Sequence, residues 1–208
     1  MRSNEFKIYA VTNRRLCQDG FVQRVGRIAA AGADAIILRE KDLCAEEYYT
    51  LASEIFIVCK RYETPFIANS FLNEAIRLGC SDVQLSFSDF MQHQAEAPSG
   101  SGGLRGLKIG VSVHSLAEAK EATSLGADRL IAGHIFKTDS KANLPPKGTE
   151  YLAEICRCVN IPVVGIGGIE DGNIARVKRT GAAGAAVMSS LMVCDDPAAY
   201  ISRLRKAR

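Results

Sequence analysis

The chain has 208 residues, 47% of them hydrophobic and 24% charged, with 26 basic and 23 acidic side chains giving a formal net charge of +3. That balance suits a soluble chain folding as a single domain over residues 1–208, and it excludes a disordered composition. The charges form no long run of one sign, so no nucleic-acid partner is expected, while a small anion held by a few cations fits.

Apolar, β-branched runs recur along the chain, each followed by a polar loop and a stretch of helical period. The first strand is predicted over residues 8–11, and its helix runs through Phe21, Val25, Ile28 and Ala29. The second covers 35–38 and leads into Arg39, Glu40, Lys41 and Asp42; Tyr48, Leu51, Ala52, Ile55 and Val58 then repeat at helical spacing. The third covers 65–68, ends at Asn69-Ser70, and precedes a short helix over 72–78. The fourth, 82–85, is followed by Ser86-Phe87-Ser88-Asp89 and by a Gly-, Ser- and Pro-rich segment, 96–106, expected to hold only a mobile or degraded fourth helix.

The fifth strand, 108–111, ends in Ser112, Val113 and His114; Ser115 with Glu118 forms a capping box. The sixth, 129–132, feeds the densest polar stretch in the chain, Gly133 to Lys141, which carries His134, Thr138, Ser140 and Lys141. A helix over 150–159 leads to the seventh strand, 161–164, and then to Gly165, Ile166, Gly167, Gly168 and Ile169. After a helix over 171–179, the eighth strand covers 183–187, followed by Met188, Ser189 and Ser190, and Asp196-Pro197 opens the last helix.

Eight buried-type strands, each followed by a helix or its remnant, describe an α/β fold with a closed parallel sheet, the (β/α)8 TIM barrel. All strand-to-helix loops then open on one face, which brings Arg39, Lys41, Asn69, Asp89, Ser112, His134, Thr138, Ser140 and Lys141 to a single mouth. Read singly, Arg39-Glu40 is an ordinary surface ion pair and Gly167-Gly168 a tight turn. After the seventh strand, and paired with Ser189 and Ser190, the double glycine instead predicts a phosphate-binding turn, because no Cβ obstructs the backbone. A histidine near neutral pH can give or take a proton, which makes His134 the candidate acid–base group. The seven cysteines are scattered without a CxxC pair, and the N-terminal residues lack the apolar segment of a signal peptide; reduced thiols in a cytoplasmic protein with no membrane contact are expected.

These motifs together resemble the thiamine phosphate synthase superfamily: Tyr9 to Thr12, Leu38 to Lys41, Gly110 to Ser112, Thr138 to Lys141 and Ile166 to Ile169, in that order along nearly the whole chain. The resemblance implies that Arg39, Lys41, Ser112, Thr138, Ser140 and Lys141, with Asn69 beside them, surround the diphosphate or carboxylate end of the site. It implies that Gly167, Gly168, Ser189 and Ser190 hold a thiazole phosphate.

Synthases of this kind carry an Asn-Asp pair after the third strand and a Gly-Gln-x-Asp stretch after the fourth, where this chain has Asn69-Ser70 and Ser86-Phe87-Ser88-Asp89. One magnesium carboxylate is thereby missing, and Asp89 alone makes a poor magnesium site. The substitutions, with the stretches around Gln84, Ser112 and His134, are similar to the TenI-type thiazole tautomerases, isomerases that aromatise a thiazole phosphate carboxylate. The expected function is therefore thiazole tautomerase in thiamine biosynthesis, with His134 catalytic, a small phosphorylated thiazole as substrate, and no metal or other cofactor. Two alternatives stand beside it. One is a thiamine phosphate synthase (a diphosphorylase) that joins a pyrimidine diphosphate to a thiazole phosphate, releases diphosphate and uses Mg2+ at Asp89. The other is a noncatalytic regulator binding thiazole or thiamine phosphate. A homodimer is in keeping with the resemblance.

Overall fold

The computed structural model describes residues 5–96 and 106–208. Eight parallel strands close into a barrel in sequence order: β1 Lys7–Val11, β2 Ala35–Leu38, β3 Phe66–Asn69, β4 Asp82–Ser86, β5 Lys108–Val113, β6 Arg129–Gly133, β7 Val163–Ile166 and β8 Gly184–Val187. The helices are α1 Phe21–Ala30, α2 Ala45–Arg61, α3 Leu72–Leu78, α4 Phe87–Glu96, α5 Leu116–Ser124, α6 Gly148–Cys158, α7 Ile174–Lys178, α8 Ser189–Val193 and α9 Pro197–Lys206. Among the described residues no helix is long and apolar enough to cross a membrane, and the seven cysteines are free thiols.

Alternation along each strand divides the apolar side chains into two clusters. Ile8, Ala10, Ile36, Leu38, Val111, Leu130 and Val187 point outward and pack against buried helix residues such as Val25, Tyr48, Ile55, Leu152 and Leu204. Tyr9, Val11, Ile37, Ile67, Ile131, Val164 and Ala186 fill the lumen. Each fully buried aliphatic side chain contributes about 1.5–3 kcal/mol. Local signals start the helices where expected. Ser115 Oγ accepts from Glu118 N, and Asp196 Oδ1 accepts from the backbone N–H groups of Ala198 and Ala199 just after Pro197.

The fourth unit departs from expectation. A ten-residue helix, α4, begins immediately after β4, where a polar loop was expected. Ser86 Oγ accepts from Asp89 N at 3.1 Å and caps it, and Phe90 is fully buried beneath it. The polar residues 86–89 read as loop because Ser and Asp favour both caps and turns. Most of the Gly/Ser segment expected to be mobile lies outside the described residues.

Closure joins the two ends of the fold. Lys7 pairs with Gly184 and Ala10 with Val187. Asp34 Oδ2 accepts from Ile8 N at 2.7 Å and from Arg205 Nη2 at 2.8 Å. Lys178 Nζ donates to the carbonyls of Leu204, Arg205 and Ala207, which binds the last turn of α9 to α7.

Candidate active site at the barrel mouth

The strand-to-helix loops enclose a cavity of about 270 Å3. Arg39, Lys41, Asn69, Ser112, His134, Thr138, Ser140, Lys141, Gly167, Gly168 and Ser189 all line it, so residues from six strands meet there. Ser190 and Asp89 do not. Ser190 follows Ser189 inside α8, and successive helical residues point about 100° apart. Asp89 sits in the first turn of α4. His114, just beyond β5, lines it too, and so do Gln84 and the apolar wall of Val11, Ile37, Ile131 and Ile166, which sequence reasoning did not assign to the site. Only strand alternation could have pointed to them.

The end of β2 is held by a buried carboxylate. Glu40, 2% exposed, accepts from Thr12 Oγ1 (2.7 Å), Arg14 N (3.0 Å) and Arg14 Nη1 (3.0 Å). Thr12 Oγ1 in turn accepts from Arg39 N at 3.0 Å. With Glu40 committed to these partners, Arg39 and Lys41 on either side line the cavity. Tyr48 hydroxyl donates to Leu38 O and accepts from Asn69 N, which joins the ends of β2 and β3 and sets Asn69 in the wall.

The double glycine has an intramolecular task. Gly167 and Gly168 have φ of 100° and 63°, a region that disfavours side chains. A Cβ on Gly167 would strike His134 Cβ, and one on Gly168 would strike the Lys137 carbonyl. Ile135 N and Phe136 N donate to Ile166 O and Gly167 O, both at 2.9 Å. The β6 loop therefore lies directly on the β7 turn, which carries His134 through Lys141 over the cavity. His134 is 5% exposed, its Nε2 is 3.3 Å from Leu144 O, and it follows a cis peptide bond from Gly133. His114 Nδ1 lies 3.0 Å from Gly133 O, and His93 is on α4 away from the cavity.

Electrostatically the mouth is one-sided. No carboxylate of the described residues lines the cavity, and Arg39, Lys41 and Lys141 form no ion pair among those residues. Burial holds the Lys141 ammonium below the ordinary lysine pKa, helped by the charges of Lys147, Arg39 and Lys41. Such a site favours a polyanion. It does not fit a magnesium ion held by protein carboxylates: the wall offers amide and hydroxyl oxygens, and no group of three or more His, Cys, Asp or Glu placed to hold a metal ion occurs among the described residues.

The sequence profile of the thiamine monophosphate synthase family (TMP-TENI) matches residues 8–191. A thiamine-phosphate synthase of Syntrophomonas wolfei is 32% identical over 208 residues, covering 99% of this chain and 98% of the relative. One of Pyrococcus furiosus is 36% identical over 205 residues, covering 98% and 95%. A solved thiamine phosphate pyrophosphorylase from Pyrococcus furiosus superposes with a TM-score of 0.83 at 34% identity, covering 98% and 96%. These findings overturn the expected thiazole tautomerase and its isomerase class, and favour the transferase that stood as the alternative. The physical reason is one of weight. The replacements at Ser70, Ser86 and Phe87 leave the cationic set that β2 and β6 bring to the mouth intact. The proton shuttle assigned to His134 belonged to the tautomerase reaction and is withdrawn with it.

Proposed function

The chain belongs to the thiamine monophosphate synthase family, and on that premise we propose that it joins a pyrimidine diphosphate to a thiazole phosphate. The observation carrying this reading is the set of three cations, Arg39, Lys41 and Lys141, that face the cavity without a carboxylate partner among the described residues. The ester C–O bond of the pyrimidine diphosphate breaks and its electron pair leaves with the diphosphate oxygen. The lone pair of the thiazole nitrogen forms the new C–N bond. No electrons are gained or lost overall.

Negative charge develops on the leaving oxygen as that bond lengthens, and fixed ammonium and guanidinium groups stabilise it most at that point. Lys141 gains most, because its charge is held in a half-buried position beside like charges and an arriving anion relieves both. Thr138 and Ser140 supply hydroxyl donors to the same anion, and Gly167, Gly168 and Ser189 receive the thiazole phosphate. The apolar wall of Val11, Ile37 and Ile131 accommodates the rings. Seven free thiols support a reducing compartment, and we place the enzyme in the cytoplasm as one barrel domain acting on small phosphorylated substrates, without nucleic acid or membrane.

The test supplies both substrates with magnesium and follows thiamine phosphate and released diphosphate in equal amounts. A parallel reaction in chelator reads how far the protein cations suffice. Absence of product from folded protein in both reactions would refute the reading.

A further inference from the structure

The lumen is apolar on one side and polar on the other. At alternate positions β4 presents Asp82, Gln84 and Ser86, β5 presents Gly110 and Ser112, and β6 presents Arg129. Arg129, 7% exposed, grips Asp82 through Nη1–Oδ2 (3.1 Å) and Nη2–Oδ1 (3.0 Å). Its Nη2 also donates to Gln84 Oε1 at 3.2 Å. Gln84, 1% exposed, donates from Nε2 to Ser112 Oγ at 3.1 Å. Gly110 makes room for this chain, since a Cβ there would run into Gln84 Oε1 and the guanidinium.

We propose that Arg129 and Gln84 are positioning residues that fix Ser112 as a hydrogen-bond donor to the bound anion. A guanidinium has donors and no acceptor, so the oxygen of the Gln84 amide must face Arg129. The amide nitrogen then faces Ser112, and as a pure donor it makes Ser112 Oγ the acceptor in that bond. The single proton of Ser112 must point elsewhere. Ser112 lines the cavity, and no described residue accepts from its hydroxyl. A free serine rotates between donating and accepting; this one is committed to donating, which suits an oxyanion that only accepts. Arg129 Nε lacks a partner among the described residues, and the paired bonds to Asp82 hold the guanidinium in the lumen at that cost.

The inference rests on the proposed function for the identity of the anion, and the test separates the two. Gln84→Glu keeps the size and the Arg129 bond but turns only an acceptor toward Ser112, whose proton is then drawn inward. Gln84→Leu removes the donor without adding charge. Affinity for inorganic diphosphate is measured by calorimetry in each variant, alone and combined with Ser112→Ala, with thermal melting to confirm folding. Expected is about a tenfold loss for Gln84→Glu and about threefold for Gln84→Leu, each shrinking to under about twofold in the Ser112→Ala background. In turnover assays the Gln84→Glu loss falls on kcat as well as KM. Losses of equal size without Ser112, unchanged affinity in both single variants, or no diphosphate binding by the parent protein would each overturn the relay. Intact coupling without thiamine phosphate formation would refute the synthase reading and leave the relay standing.

Discussion

Two groups of cations on the rim of this barrel are treated in opposite ways. Arg14 and Arg15 are absorbed: Arg14 bonds Glu40 and Asp42, and Arg15 bonds Asp42. The guanidinium of Arg14 holds the Asp42 carboxyl far below the usual carboxylate range. Arg39, Lys41 and Lys141 have no such partner among the described residues and line the cavity. The difference shows how the same residue types serve either architecture or ligand. At this rim the charges that tie loops together are neutralised, whereas those lining the cavity keep no carboxylate partner among the described residues.

Removing a spare charge should have the strongest effect. Lys141→Met is expected to lower kcat for thiamine phosphate formation about 10²–10³-fold, the usual loss for one fixed donor to developing charge, while the melting temperature stays close to that of the parent. Loss of fold instead of rate would move Lys141 into the architectural group.

Next in size is the buried acid between the groups. Glu40→Ala strands Thr12 Oγ1 and Arg14 N and leaves the Arg14 guanidinium to Asp42 alone, and a loss of about 1–3 kcal/mol is expected, as for buried polar groups left unsatisfied. It should be read from the urea midpoint at unchanged slope. Because Arg39 N hangs on Thr12 Oγ1, KM should rise as well; a stability loss with normal KM would detach the architecture from the ligand charges.

The spare charge of Lys141 should also show in the pH dependence of diphosphate affinity. Lys141 carries a lowered pKa, so as pH rises it loses its proton before an ordinary lysine would. In the ligand-free protein its charged form costs stability below that lowered pKa, a cost that fades as pH climbs toward the unfolded value. Affinity should therefore fall through the lowered pKa, by up to about tenfold per pH unit. Lys141→Arg, charged throughout, should flatten that decline. An unchanged decline would assign the titration to another group.

Smallest is the exposed partner: Arg15→Ala should cost under about 0.5 kcal/mol in the same urea titration, since exposed pairs contribute little. A cost above about 1 kcal/mol would mean that the outer pair carries the loop.

The barrel was legible because buried parallel strands are short continuous apolar runs and the helices between them keep a 3.6-residue period, as in Ala35–Leu38 followed by Tyr48, Ala52 and Ile55. Most of the mouth was legible too, since strand ends in a barrel share one face. The polar side of the lumen was not. Gln84 and Arg129 lie within or beside apolar runs, and only knowing which alternate residues point inward reveals that they meet across Gly110. The fourth helix escaped because Ser86 and Asp89 serve a cap in the way that they would serve a turn. The reaction was misjudged for a related reason: Ser70 and Phe87 are visible as replacements, whereas the absence of acid partners for Arg39, Lys41 and Lys141 becomes visible only in three dimensions.

The seam where Lys7 meets Gly184 has a consequence for how the protein is made. On a ribosome, β1 emerges before the other seven strands and its partner β8 after them, so until β8 is made the first strand offers an unsatisfied edge to any neighbouring nascent chain. The ties that complete the seam, from Arg205 to Asp34 and from Lys178 to the carbonyls of Leu204, Arg205 and Ala207, become available later still. Closure thus waits on the slowest kind of contact, between segments most distant along the chain.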